Sequence, residues 1–274
     1  FLNYNLEIVK NNYDIQVFTE NKNEKFKKII KVNNDSSKDS LDFINKSISY
    51  LTFLPEMERL FQVSPSYRRN FLDRLIFSYK NDYNRLINKY KKNLLERVKI
   101  LQQYISENDW LNHTELEICK LGLDIYKLRQ YQLKFINDNI YTLKNDHKFQ
   151  FNVKLIIKDD FFSDEITLDK YLSKLQDSRS YDKNYGGTKV GPHKSDFVAI
   201  IDDKYEASIL STGQQKTVVL MLLLAQCNYL VNYQNINPIL LFDEIGSHLD
   251  IHNRQILLDM INRFDIQFFL TGTD

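Results

Sequence analysis

The sequence predicts an α/β protein that carries an inserted antiparallel helical hairpin, and three observations lead to this class. Residues 1–60 combine short β-rich runs with one short helical segment. Residues 64–140 show the three-and-four spacing of apolar residues that is typical of amphipathic helices. From residue 150 onward strand and helix patterns alternate, which is typical of a sheet covered by helices. The 274 residues suffice for one large domain or two modest ones.

The first region predicts a β-hairpin followed by a helix and a further strand. β-rich runs at 14–18 and 26–32 flank the polar segment TENKNEK, which is typical of a hairpin connection. The segment DSLDFINKS predicts a short helix, and ISYLTFL predicts a strand that ends at Pro55.

The second region predicts two long helices. Residues 64–66 form a helix start, and the apolar stripe that follows predicts one helix of about ten turns reaching Leu101. The polar segment SENDW interrupts the stripe. Thr114 and Glu117 have the spacing of a capping box, which predicts a second helix running to about Asn139. Because the break is short, we expect the two helices to fold back and pack against each other.

The last region predicts strands and one strongly apolar helix. Alternating apolar residues at 151–157 indicate a half-buried strand. Two more strands are predicted at 197–201 and 207–210, around the turn DDK. A helix from Ser211 to about Val231 follows.

A β-α-β unit ends the sequence. PILLF at 238–242 is a short continuous apolar run, typical of a strand buried on both faces of a parallel sheet. A helix from Asp250 to Phe264 and a strand at 267–270 complete the unit.

Two neighbouring elements of this region carry phosphate-type chemistry. Ser211 is a good N-cap, Gly213 would let a phosphate approach the backbone, and Gln214 and Gln215 add neutral donors at a helix N-terminus that favours anions. The plainer interpretation is an ordinary capped core helix.

Two carboxylates, Asp243 and Glu244, follow the buried strand, at the edge where α/β folds bind ligands. Asp243 could hold Mg²⁺ while Glu244 orients an attacking water. The plainer interpretation is a solvated strand end. Since both features lie on consecutive elements of one β-α-β unit, we favour a shared phosphate site.

Composition limits the remaining possibilities. No segment approaches the ~20 uncharged apolar residues of a membrane span. The first residues lack a basic-plus-apolar pattern, so we expect no secretory leader. Cys119 and Cys227 are isolated, which predicts buried free thiols in a reducing cytoplasm. A zinc site at His248 and His252 lacks a third ligand. A hydrolytic triad of Ser211, His193 and Asp196 lacks a nucleophile elbow.

The positive charge is concentrated in the helical region. Residues 66–99 hold ten basic and three acidic residues, a net +7 in a chain whose total is +1. Such a run indicates either a DNA contact or a solvated helix face. The candidate DNA contacts are Arg68, Arg69, Arg85, Lys89 and Lys92. Tyrosines 79, 83 and 90 lie on the apolar stripe, so we expect them in the core.

Several stretches, in order between residues 50 and 274, resemble one family. STGQQK resembles the signature motif of ABC-type ATPases, and ILLFDEIGSHLD resembles their Walker B strand and D-loop. The double glutamine is similar to the variant in the RecF family, bacterial replication and repair ATPases related to SMC proteins. GGTKVGPHKSDF, SPSYRRNFLDRL and the closing TGTD are also similar to RecF segments.

The resemblance implies an ABC-type ATPase head formed by residues 1–60 and 150–274, with residues 64–140 as a helical arm. It implies a weak ATPase that needs ATP and Mg²⁺, binds DNA as an ATP-dependent homodimer and works with recombination mediator proteins in the cytoplasm, in recombinational repair, replication restart and the SOS response. The implied nucleotide-site residues are Asp243 for Mg²⁺, Glu244 as the catalytic carboxylate, and Ser211, Gly213 and Gln214 acting in trans. Ser247 and Asp250 belong to the implied D-loop, and Thr271, or alternatively Thr273, to the switch.

The sequence also departs from the family's pattern. The Walker A loop G-x-x-x-x-G-K-[ST] is absent, because Pro192 and His193 follow Gly186 and Gly191 where Lys and Ser/Thr are required. The resemblance implies that this loop precedes Phe1, so we expect the chain alone to bind ATP poorly. The alternatives are a transporter's motor subunit, which lacks a long basic hairpin, and an SMC-type structural protein, whose arm is far longer.

Overall fold

The computed structural model describes residues 2–8, 11–22, 25–103, 108–147, 152–161, 166–243 and 266–272, together with 254–255, 258–259, 262 and 264. The chain divides into two compact units, Phe1–Tyr50 and Leu51–Asp274. The second unit contains both the predicted arm and most of the predicted ATPase head. The division into a head and an arm therefore stays a prediction.

The first unit is a three-stranded antiparallel sheet followed by a helix. Its elements are β1 (Leu2–Ile8), β2 (Asn11–Lys22), β3 (Lys25–Val32) and α1 (Lys38–Ser47), with β2 in the centre of the sheet. The predicted hairpin is therefore confirmed, as is the helix, which begins after its N-cap Ser37. Strand β1 was not predicted from the sequence.

The second unit holds the remaining elements. In chain order they are β4 (Tyr50–Phe53, beginning at the boundary), a 3₁₀ turn (Pro55–Arg59), α2 (Pro65–Phe77), α3 (Tyr83–Gln102), α4 (Asn108–His147), β5 (Val153–Lys158), α5 (Leu168–Asp177), α6 (Arg179–Tyr185), β6 (Asp196–Ile201), β7 (Tyr205–Glu206), a 3₁₀ turn (Ala207–Ile209), α7 (Thr212–Gln234), β8 (Ile239–Phe242) and β9 (Phe268–Leu270).

One sheet of this unit has the strand order β4-β8-β9, and β8 pairs with β9 in parallel, as the predicted β-α-β unit requires. The prediction that β8 is buried on both faces is wrong. Leu240 and Phe242 are 1% and 3% exposed, whereas Leu241 keeps 36% of its surface exposed. Because side chains alternate along a strand, Leu241 faces the opposite side of the sheet.

The other sheet has the order β5-β6-β7 and is antiparallel, which confirms the predicted strands near 151–157 and 197–201. The predicted strand at 207–210 is wrong, since this segment forms a 3₁₀ turn. Its buried residues, Ala207 and Leu210, are three apart. That spacing suits a 3₁₀ turn of three residues and not the alternation of a strand.

The single helix expected up to Leu101 is also wrong, because the structure has α2 and α3 separated by residues 78–82. The Ser78 hydroxyl donates to the Leu75 carbonyl at the end of α2. The Tyr83 hydroxyl donates to Asp73 at 2.6 Å, so the first residue of α3 folds back onto α2. Because the apolar stripe continues across residues 78–82, the sequence pattern did not reveal the break between α2 and α3.

The predicted capping box at Thr114 is wrong as well. Helix α4 begins at Asn108 and places Thr114, which is 4% exposed, in its interior. The expected hairpin is present nonetheless. Trp110 contacts Glu96, and Glu117, further along α4, contacts Lys89, further back along α3, so the two helices run in opposite directions.

The core surrounds α7, whose residues from Gln215 to Cys227 are all buried. A helix that is apolar on every side belongs in the interior, which explains the long uncharged run. Cys119 and Cys227 are free and buried, as predicted. Burial raises the pKa of each thiol to about 12, so neither is a reactive thiolate.

Candidate functional site

The N-terminus of α7 forms the first part of the candidate site. The Ser211 hydroxyl accepts a hydrogen bond from the Gln214 amide at 3.3 Å, and the Ser211 amide donates to the Gln214 side-chain oxygen at 3.0 Å. This reciprocal pair is a capping box, and it confirms Ser211 as the N-cap. Ser211, Gly213 and Gln214 are all exposed, so this end of the buried helix opens to solvent.

Two amides at this end are left without partners by helix geometry. Ser211 satisfies the amides of Gln214 and Gln215, whereas the first-turn N–H groups of Thr212 and Gly213 have no carbonyl one turn earlier in the helix. A Cβ added at Gly213 would meet no atom of the described residues within 4 Å. The helix therefore presents these N–H groups to a space that the described residues leave open, which suits an anion such as a phosphate.

Gln215 does not extend this donor set, contrary to the prediction. Its side chain is 0% exposed and donates inward to the Leu210 carbonyl at 2.9 Å. The next residue, Lys216, is also fully buried, and its ammonium lies 2.6 Å from the Glu58 carboxylate beside β4. These two contacts fix the start of α7 against the segment that follows β4.

The C-terminal ends of β8 and β9 form the second part. Because these strands are parallel, Asp243 and Thr271 follow them at the same edge of the sheet. The Asp243 amide donates to the Phe53 carbonyl, and the Thr271 amide donates to the Phe242 carbonyl, each at 2.9 Å. The Thr271 hydroxyl donates to the Asp243 carboxylate. Glu244, Ser247, Asp250 and Thr273 lie outside the described residues.

This edge suits Mg²⁺ better than a transition metal. Asp243 is exposed and contributes one carboxylate next to a hydroxyl. Mg²⁺ is commonly held by one or two carboxylates plus substrate phosphates. Among the residues that the structure describes, no group of three or more His, Cys, Asp or Glu side chains could hold a metal by itself. His248 and His252, considered for zinc, lie outside that set.

The hydrolytic triad considered from the sequence does not form. His193 binds the Tyr90 hydroxyl through Nδ1 and donates through Nε2 to the Thr188 carbonyl, both at 2.7 Å. Asp196 is paired with Arg68. Both His193 nitrogens are therefore occupied by groups other than Ser211 or Asp196.

The basic candidates separate into two kinds. Arg68 is 9% exposed, binds Asp196 through two nitrogens at 2.6–2.8 Å and donates to the carbonyls of Phe61 and Val63. It is a structural residue, and we remove it from the predicted DNA contacts. Arg69 is half-buried and donates to the Ser195 carbonyl at 2.7 Å.

Arg85, Lys89 and Lys92 share one face of α3 at helical spacing. The Arg85 and Lys89 side chains are 71% and 60% exposed, with acidic neighbours at 3.5 and 3.4 Å. Tyr83 and Tyr90 are 0% and 2% exposed, which confirms their place in the core. A solvent-facing cationic surface therefore lies over an aromatic interior.

Sequence reasoning missed an internal ion-pair network that holds the GGTKVGPHKSDF segment. Arg97 is 0% exposed and binds Glu115 at 2.9 Å, Asp182 at 2.6 Å and the Thr188 hydroxyl at 3.2 Å. Arg129 donates to the Pro192 carbonyl at 2.6 Å. One signal was present, because Arg97 lies on the apolar stripe and must be buried with α3.

Gly191, in the same segment, occupies a position that requires a glycine. Its φ is +131°, a conformation that side-chain-bearing residues rarely adopt. A Cβ at this position would overlap the phenol oxygens of Tyr171 and Tyr90. The segment therefore packs its backbone directly onto two buried tyrosines.

Comparison with known proteins gives the family. The chain is 33% identical over 243 residues to the DNA replication and repair protein RecF of Rickettsia prowazekii (strain Madrid E), covering 88% of this chain and 68% of that protein. For the RecF of Rickettsia akari (strain Hartford) the identity is 32% with the same coverage. No family model matches the chain. No helix among the described residues is long and apolar enough to cross a membrane.

Solved structures agree in fold. The recombination mediator protein RecF with ATP, of the RecFOR pathway, superimposes with a TM-score of 0.79 at 23% identity, covering 96% of this chain and 71% of that one. An SMC head bound to the C-terminal winged-helix domain of ScpA gives a TM-score of 0.50 at 15% identity. The fold is thus that of an α/β ABC-type ATPase head, and the chain belongs to the RecF family.

Proposed function

We propose that this protein is a weak ATPase that binds DNA as an ATP-induced homodimer in recombinational repair and replication restart, and aids recombinase loading. Its relatives carry the name DNA replication and repair protein, and one solved relative is a RecF–ATP structure. The observation that carries the proposal is the open N-terminus of α7, where a capped helix presents free amides to solvent.

The direction of that helix end supports action in trans. Ser211, Gly213 and Gln214 are exposed, and no atom in the described part of the chain lies within 4 Å of the position that a Cβ at Gly213 would take. A phosphate bound there must therefore be brought from outside the described residues. A second subunit that carries ATP would place its terminal phosphate against these amides. Assembly of the dimer would then depend on the nucleotide.

The sheet edge supports a role in the nucleotide site of the same chain. Asp243 would hold Mg²⁺, and the Thr271 hydroxyl that contacts it would respond to the metal and the phosphate as a switch residue. Bound ATP with Mg²⁺ supplies the transferable phosphoryl group. We assign Glu244 as the carboxylate that orients water, and Ser247 and Asp250 to the D-loop.

The DNA-binding part of the proposal rests on the exposed face of α3. Arg85, Lys89 and Lys92 are exposed on this face, and contacts from such residues to phosphates give affinity that does not depend on sequence. DNA, recombination mediator proteins and a second copy of the chain are the proposed partners, and the cytoplasm is the proposed location.

Sedimentation of full-length protein, with and without ATP, tests the proposal. Ser211→Arg places a bulky cation where the phosphate would enter, so the variant should bind ATP but fail to dimerise or retain DNA. Ser211→Ala is the matched control, because it removes the cap and costs about 1 kcal/mol of stability without blocking the space. A Ser211→Arg variant that dimerises normally with ATP would show that Ser211 only caps a helix.

A further inference from the structure

An arginine without an acidic partner lies in the second unit. Three arginines cluster there with two aspartates, and two of the arginines are each paired with one aspartate. Arg68 binds Asp196 at 2.6 Å, and Arg129 binds Asp73 at 2.9 Å. Arg69 has no carboxylate partner among the described residues, and its guanidinium donates only to a backbone carbonyl, at 2.7 Å. One positive charge of the cluster is therefore uncompensated.

This unpaired guanidinium lines a cavity of about 270 Å³ between α2, α3, α4 and the segment before β6. Asp73 also lines the cavity, but Arg129 and the Tyr83 hydroxyl already bind its carboxylate. Lys91 stands on the exposed side of α3 at the rim. Arg129 lines the cavity as well, and the other polar lining residues are Ser66, Asn70, Tyr90 and His193. The cavity thus carries net positive charge and neutral donors.

The Arg69 guanidinium is partly withdrawn from solvent, so its positive charge is poorly stabilised when no anion is bound. Loss of solvent lowers the pKa of the Arg69 guanidinium, and the neighbouring Arg129 lowers it further. Asp196 and Asp73, each already bound to another arginine, raise it but do not reverse the shift. A half-buried cation that lacks a carboxylate gains most from an anion that reaches it through the opening. His193 cannot serve as the cation, because burial lowers its pKa to about 4 and both ring nitrogens are bonded.

We propose that this cavity binds a phosphate group, with Arg69 as the main ligand, Lys91 as the second cation and Ser66 and Asn70 as neutral donors. A guanidinium presents a planar fork of donors that matches two phosphate oxygens, and the ammonium can neutralise the remaining charge. The phosphate comes either from a DNA backbone, which rests on the proposed function, or from a free phosphorylated molecule.

Variants of full-length protein separate these sources. Arg69→Gln and Lys91→Gln remove the two cations, and Arg74→Gln, an exposed arginine on the same helix α2, is the matched control. Two quantities are measured: affinity for a gapped DNA oligonucleotide over a salt series, and the rise in melting temperature with inorganic phosphate. For DNA, Arg69→Gln should weaken binding ~10-fold or more and lower the salt slope by about one, while Arg74→Gln changes the affinity far less.

The outcomes distinguish the inference from the proposed function. If phosphate stabilises the parent protein and Arg69→Gln abolishes that effect with DNA affinity unchanged, the site serves a free phosphorylated molecule. If only DNA binding weakens, the site holds a backbone phosphate. Failure of the parent protein to bind DNA would refute the proposed function and leave the phosphate arm to decide. Should Arg69→Gln and Lys91→Gln match Arg74→Gln in both measurements, the inference is overturned. Lys91→Gln alters only a rim residue and covers any folding defect of Arg69→Gln.

Discussion

Neutralising Glu58 should destabilise the protein more than neutralising Lys216, although the two residues form one ion pair. The Lys216 ammonium lies 2.6 Å from the Glu58 carboxylate. The Lys216 side chain is 0% exposed, whereas Glu58 keeps 15% of its side chain exposed. The ammonium therefore has no access to water when its partner changes, but the carboxylate does.

The expected magnitudes follow from this difference. Glu58→Gln leaves a buried ammonium without a countercharge, and removal of one partner of a buried pair costs about 3–5 kcal/mol. Lys216→Met keeps an unbranched side chain and leaves a carboxylate that water can reach. We expect this variant to lose about 1–2 kcal/mol of stability. The double variant contains neither charge, so it should be more stable than Glu58→Gln alone.

Thermal unfolding of full-length protein without nucleotide measures these differences. A loss of 1 kcal/mol lowers Tm by roughly 2–4 °C in a domain of this size, so Glu58→Gln should melt on the order of 10 °C earlier. The control is Glu206→Gln, whose partner Lys158 lies at 3.2 Å in a pair that is 60% and 42% exposed. That variant should lose less than about 1 kcal/mol. If Lys216→Met is the less stable single variant, or if the two losses simply add, the reasoning is refuted.

The sequence predicted those elements whose signal is local. The buried helix α7 and its N-cap could be predicted because a cap residue, a glycine and a long apolar run are neighbours in the chain. Strand β8 could be predicted because its short apolar run is continuous in the chain. Ser211 and Asp243 were therefore placed on the correct elements, Ser211 at a helix start and Asp243 at a strand end.

Contacts between distant segments could not be predicted. Arg97 is bound by Glu115, Asp182 and Thr188, which lie 18, 85 and 91 residues away along the chain. Sequence spacing shows that Arg97 lies on the buried stripe but not which partners reach it. The burial of Lys216 was hidden in the same way, since its partner lies 158 residues earlier. Charge counts over residues 66–99 therefore overestimated the exposed positive charge, because they included Arg68 and Arg97.

Three further predictions concern the segment before β6 and the sheet edge. Gly191→Ala should cost about 2–4 kcal/mol in urea unfolding, because its Cβ overlaps Tyr171 and Tyr90 at a φ of +131°; a neutral effect would contradict this packing. Glu244→Gln should keep ATP binding and dimerisation but slow hydrolysis by ~10²–10⁴, and near-normal turnover would exclude it as the catalytic carboxylate. His193 should make stability depend on pH. Burial lowers its pKa from 6.5 to about 4 in the folded protein, while the unfolded chain takes up a proton near 6.5. The unfolded state therefore binds more protons between these values, so the histidine's contribution is complete above pH 6.5 and is lost as the pH falls towards 4, at ~1.4 kcal/mol per pH unit. His193→Asn cannot take up that proton, so urea unfolding of the variant should show a shallower loss of stability over this range. Equal slopes for both proteins would mean that the folded protein accommodates a protonated histidine.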